Sequence, residues 1–133
     1  MNFLDRYSTQ LLGVLRIVSA LLFIAHGTTK LFGWPPTEMF ATPPEPMTLM
    51  WVGGILEAFG GALLLIGLFT RPVAFVLSGM MAVAYWMFHF PQATFPVQNG
   101  GDASILYCFI FLYIAAAGPG AGSVDGLIGK KKT

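Results

Sequence analysis

The chain has 133 residues, of which 56% are hydrophobic and only 10% charged, with a formal net charge of +1 and a mean hydropathy of +0.72. A soluble domain carries roughly a quarter charged residues; the shortfall here lies in long apolar runs, which points to a protein of the lipid bilayer, and no basic patch with interleaved aromatics suggests nucleic acid. The single cysteine, Cys108, excludes an intramolecular disulfide and any CxxC metal or redox motif, so redox chemistry would need a bound cofactor or a partner subunit.

Residues 1–10 (MNFLDRYSTQ) form a short polar lead-in. The first apolar run covers about residues 11–31 and is longer than a signal-peptide core; His26 and Lys30 interrupt its end, so it reads as a retained span. GWPPTEMFATPPEP follows, and its prolines, each lacking a donor and restraining the residue before it, exclude a continuous helix. The second span covers about 47–69. Thr70-Arg71-Pro72 is a tight connector, with Pro72 suited to the first turn of a helix. The third span covers about 73–90 and ends in the interfacial aromatic cluster YWMFHF. PQATFPVQNGGD is turn-rich, with Asp102 as the expected N-cap of a fourth span over about 103–117. GPGAGSVDGLIGKKKT closes the chain as a glycine-rich tail with a basic end.

Arg6, Arg71 and Lys130 to Lys132 fall on one side of these spans, and Glu38, Glu45 and Asp102 on the other. By the positive-inside rule both termini are cytoplasmic. The expected architecture is therefore all-α: a single domain over 1–133, an integral membrane four-helix bundle.

The first span is mostly apolar, yet Arg16, Ser19, Phe23, His26 and Lys30 recur in alternating steps of three and four, which places them on one helical stripe. A cationic stripe in a membrane needs a partner. Glu57 is the one acidic residue deep in an apolar run; Gly54, Gly60 and Gly61 share its neighbourhood, so that a second helix can approach closely. Measured from the cytoplasmic edge at 1.5 Å per residue, Arg16 is about 8 Å deep, Glu57 about 18 Å and His26 about 22 Å. Glu57 thus lies nearer His26, with the long Arg16 side chain still in range. Two readings stand: a buried Arg16–Glu57 pair that only sets helix register, or a ligand or proton site, the usual role of an ionisable group in a membrane. In the second, Glu57 and His26 exchange protons while Arg16, Lys30 and Ser19 bind the ligand. Lys30 and His89 also suit interfacial roles without a ligand, and two histidines with one glutamate at no close spacing make no metal set.

LRIVSALLFIAHGTTKLFG, then GGILEAFGGALLLIGLFTRPVA, then GPGAGSVD after the last span, resemble the DoxX family of small four-helix membrane proteins. The resemblance rests on Arg16, His26-Gly27, Lys30-Leu31-Phe32-Gly33, Glu57 with Gly60-Gly61, Gly67-Leu68-Phe69-Thr70-Arg71, Gly118-Pro119-Gly120, Ser123 and Asp125. It implies a bundle in the bacterial inner membrane and a link to oxidoreduction, some members being regarded as subunits of thiosulfate–quinone or related systems. The expected cofactor on that basis is a quinone, and the expected partner another oxidoreductase subunit. Two rival functions remain in view: a non-catalytic scaffold that docks partners through its basic tail, and a small-molecule or proton transporter working as a homo-oligomer.

Overall fold

Each apolar run folds into a helix in the computed structural model, which describes residues 2–131. The elements are α1 (Ser8–Phe32), α2 (Leu49–Ile66), α3 (Thr70–Ala84), α4 (Pro96–Asn99), α5 (Asp102–Ala117) and α6 (Val124–Lys131). A π-helical turn, Tyr85–His89, and a 3-10 turn, Phe90–Gln92, prolong α3. Among the described residues there is no strand.

Among the described residues, three segments are long and apolar enough to cross a membrane: Asp5–Phe32, Leu49–Ile66 and Thr70–Gln92. The expected fourth span, α5, has 16 residues; at 1.5 Å per residue it is about 24 Å long, short of a hydrocarbon core of about 30 Å. The boundaries also move. The second helix starts at Leu49, where the Thr48 hydroxyl accepts from Trp51 N–H, and stops at Ile66 because Gly67 turns left-handed at φ 70°. Gly101, not Asp102, takes the N-cap position of α5, and Asp102 is its first helical residue. The glycine-rich tail contains a helix, since residues 124–131 form α6.

α1 and α2 run antiparallel and cross closely. A Cβ added at Gly27 would lie 2.5 Å from the Ala58 nitrogen and 2.8 Å from the Gly54 oxygen, and one at Gly61 would meet the Ile24 side chain at 2.6 Å. Here glycine allows backbone to touch backbone. α3 packs along α5, where the Ser78 hydroxyl donates to the Cys108 carbonyl at 2.7 Å. Between the two pairs lies a core of Ala20, Phe23, Leu64, Ala74, Leu77, Met81, Phe111 and Ile114. Phe23 meets Phe111 edge-on, with ring centres 4.9 Å apart. The outward faces carry exposed Val14, Val18, Leu21, Phe59, Phe75, Val76, Leu106 and Phe109, a surface suited to hydrocarbon.

At the end holding Ser8, the connector 67–70 and α6, hereafter the terminal end, Arg16 is fully buried. Its guanidinium makes five hydrogen bonds, each to a backbone carbonyl. Nε donates to Pro119 (2.7 Å), one terminal nitrogen to Leu64 and Leu65 (both 2.7 Å), and the other to Ala121 (3.1 Å) and Gly122 (2.9 Å). That uses every N–H an arginine has. Leu64 and Leu65 lie in the last turn of α2, where carbonyls lack helical partners and the helix dipole is negative. Arg16 therefore caps α2 and clamps the 119–122 loop onto α1 and α2. The loop fits because a Cβ at Gly13 would lie 2.5 Å from the Ala121 oxygen, and Ala121 N–H donates to the Thr9 carbonyl at 3.0 Å.

Asp125, in the first turn of α6, completes this end. Its carboxylate accepts from Phe69 N–H (2.9 Å) and Thr70 N–H (2.8 Å), while its own N–H donates to the Gly67 carbonyl at 2.9 Å. Phe69 has φ 50°, a left-handed conformation uncommon for a bulky side chain, and the carboxylate holds it there. Arg71 donates to the carbonyls of Ala115, at 3.1 Å, and Ala116 at the end of α5. Burial pushes the Asp125 carboxyl up, but the N–H groups of Thr70 and Phe69 and the Arg16 charge outweigh it, leaving the group below its ordinary value near 3.8.

Two outcomes follow for the protein in detergent. Arg16→Lys offers three donors instead of a five-donor fork, so at least two buried carbonyls lose their partner at about 1–3 kcal/mol each; thermal unfolding should fall by the corresponding amount. A depressed carboxyl stabilises the fold above its unfolded value and stops doing so as the pH falls through the folded value. Unfolding temperature should therefore drop more steeply between pH 5 and pH 2 in wild type than in Asp125→Asn, as scanning fluorimetry across that range would show.

Candidate functional site

The opposite end, with the 33–48 loop and α4, contains a cavity of about 590 Å³. α1 contributes Phe23, His26 and Lys30, α2 contributes Leu56 and Glu57, and α3 with its extension contributes Met81 and His89. Met39 and Phe40 from the proline-rich loop and Ser104 and Tyr107 from α5 complete the lining. The loop is tied down where it leaves α1, because the buried Thr29 hydroxyl donates to the Pro35 carbonyl at 2.8 Å.

An ion pair sits in the wall. Lys30 Nζ donates to Glu57 Oε1 at 2.7 Å, with the two side chains 14% and 5% exposed. Glycine makes the contact geometrically available: a Cβ at Gly54 would lie 3.0 Å from Lys30 Cβ. The lysine stem can then lie along bare α2 backbone and bring its ammonium one turn along to Glu57. Lys30 Nζ also stands 5.8 Å from the Phe40 ring centre, within cation–π range. The second carboxylate oxygen, Glu57 Oε2, is buried without a hydrogen bond. A buried acceptor left open in this way is costly unless something supplies a donor.

The sequence-derived stripe therefore divides. Arg16 does not meet Glu57. It lies level with Leu64 and Leu65, seven or eight residues along α2, a separation of about 11 Å by helical rise, and its donors are spent on carbonyls. Ser19 is buried between the two ends, and the buried Phe23 borders the cavity. His26 and Lys30 reach the cavity with Glu57, and the His26 ring meets Tyr107 edge-on with centres 6.1 Å apart. The ion-pair partner of Glu57 is Lys30, the residue whose position alone suggested an interfacial anchor.

Sequence reasoning gave His89 an interfacial role and passed over Asn99. Asn99 is buried and bonds to the Ala93 carbonyl (3.0 Å), the Tyr85 hydroxyl (3.3 Å) and Gly101 N–H (2.8 Å). The turn signal Asn99-Gly100-Gly101 marked a bend but not a buried hub. His89 lies four residues beyond Tyr85 in an aromatic cluster, with nothing in the sequence to distinguish it from an interfacial belt residue.

Residues 11–90 match the DoxX family model. An uncharacterised protein of Haemophilus influenzae is 40% identical over 98% of this chain and 100% of its own. The inner membrane protein YqjF of Escherichia coli is 32% identical over 89% of this chain and 92% of its own, and the inner membrane protein YphA of the same organism 30% identical over 86% and 88%. No solved structure matches the chain. With its apolar helices long enough to span a bilayer, the chain belongs to the DoxX family and is a multi-pass inner-membrane protein.

Proposed function

We propose that the chain binds a lipid-soluble ring ligand of the quinone class in its loop-end cavity, and handles that ligand for a membrane oxidoreductase. The supporting observation is the Lys30–Glu57 pair in an otherwise mainly apolar cavity of about 590 Å³, with Glu57 Oε2 left open. Cavities of roughly 300–1,000 Å³, apolar with a few convergent polar groups, suit small amphipathic ligands. Phe23, Met81, Leu56 and Phe40 offer ring-sized apolar contact, and Lys30 offers a cationic donor for a ligand oxygen.

A bound quinone supplies a carrier for two electrons and two protons. The side chains account for the protons: Glu57 Oε2 can hold one beside Lys30, and the His26 imidazole, on the same cavity, can accept it and pass it to the loop side. Lys30 orients the ligand oxygen and balances the Glu57 charge. With one cysteine and no haem or dinucleotide motif in the sequence, the electrons are assigned to a partner subunit. In this reading α5 completes a four-helix bundle with both termini in the cytoplasm, as the positive-inside rule favours from Arg6, Arg71, Lys130 and Lys131 at the terminal end. Lys132 lies outside the described residues.

Decylubiquinone titrated into the purified protein in nanodiscs tests the reading. Wild type should bind, and Lys30→Met and Glu57→Gln should each weaken binding about tenfold or more, the usual effect of losing a charged hydrogen bond. Quinone-linked electron transfer in native membranes should fall in the same variants. Absence of wild-type binding, or unchanged affinity in both variants, overturns it; intact electron transfer in both, with partners still co-purifying, points instead to a scaffold.

A further inference from the structure

We propose that His89 is a second ligand contact in this cavity, locked as a hydrogen-bond acceptor, and that it makes the site prefer a hydroxyl-bearing ring over the corresponding carbonyl form. The proposal deepens the quinone-class reading and rests on it. His89 is the last residue of the π-helical turn and lines the cavity from the α3 side, whereas Lys30 and Glu57 line it from α1 and α2. Its Nδ1 lies 3.0 Å from the Asn99 carbonyl oxygen. A carbonyl can only accept, so Nδ1 carries the hydrogen, and in the neutral ring Nε2 keeps the lone pair.

The lock is well built. Asn99 is 5% exposed. Its amide nitrogen donates to the Ala93 carbonyl and the Tyr85 hydroxyl, and its side-chain oxygen accepts from Gly101 N–H. Tyr85 in turn lies nearly parallel to the His89 ring, with centres 6.3 Å apart and planes 21° from parallel. Gly101 closes against Tyr85, since a Cβ there would lie 2.5 Å from the ring. The Asn99 side chain is thus held by three partners, and Gly101 lies close against the Tyr85 ring. The π turn itself precedes Pro91, which has no N–H to continue the helix, and the Gln92 side-chain amide caps the Phe88 carbonyl at 2.7 Å. The cavity thus offers an ammonium, which only donates, on one wall and an imidazole nitrogen, which only accepts, on another. A ring hydroxyl can donate to that nitrogen; a ring carbonyl would face it lone pair to lone pair.

Decylubiquinol, kept reduced under anaerobic conditions, and decylubiquinone are titrated in parallel into nanodisc-embedded protein. Wild type should bind the quinol about tenfold more tightly, the effect of one hydrogen bond. His89→Asn retains a donor at the Nδ1 position for the Asn99 carbonyl but removes the acceptor at Nε2. It should keep the wild-type unfolding temperature and lose the preference. His89→Gln returns an acceptor to the outer position and should recover part of it. Equal wild-type affinity for the two forms overturns the proposal whether or not the variants fold, as does a preference that persists in His89→Asn. In both cases the quinone-class reading stands, while failure of wild type to bind either form removes both.

Discussion

The fold depends on how one buried cation is satisfied. Arg16 sits deep enough in α1 that water cannot reach it, and a guanidinium in that position is tolerable only if all its donors are met. They are met by carbonyls that the chain would otherwise leave exposed to hydrocarbon: two from the frayed end of α2 and three from the 119–122 loop. The arrangement solves two problems together, the solvation of a charge and the satisfaction of helix-end and loop backbone, which is among the strictest demands in a bilayer. It also explains why a loop rich in glycine sits there. Gly120 has φ 70° and packs against the backbone of Leu12 and Gly13, where any side chain would intrude.

Asp125 and Arg71 extend the same logic to neighbouring helices. Asp125 occupies the start of α3 with a carboxylate, and Arg71 the end of α5 with a cation, each charge matching the local helix dipole. The terminal end is thereby knit from charged side chains bonded to backbone. The loop end is built differently. There the charges face each other as Lys30 and Glu57, beside a cavity, with one carboxylate oxygen still open. The terminal end also leaves one buried polar atom open, the Thr70 hydroxyl oxygen, so the candidate site is located by the Lys30–Glu57 pair beside the cavity together with the open Glu57 Oε2.

Much of the architecture was legible in advance. The apolar runs, the proline-broken loop, the grouping of basic residues at one end and the inward direction of Glu57 beside glycines all follow from local pattern. The depth reckoning placed Glu57 nearer His26 than Arg16, yet it kept the long Arg16 side chain in range and left an Arg16–Glu57 pair standing, which the structure replaces with Lys30–Glu57. It did not reveal that Lys30 bends back along Gly54, because a side chain's direction depends on the helix packed against it. The terminal glycine-rich segment was legible only as a turn-former; that it folds over Arg16 and continues as α6 could not be read locally.

What the sequence determined by itself is the membrane setting, the helical class, the family and the set of residues able to carry charge in the bilayer, since these follow from hydropathy, periodicity and ordered motifs. The tertiary structure alone decided which charge answers which. Arg16 went to backbone carbonyls, Glu57 to Lys30, and His89 to the Asn99 carbonyl. The physical reason is that a buried polar group's partner is set by distances of about 3 Å, and such distances arise only when separate helices, themselves positioned by glycine contacts, have come together.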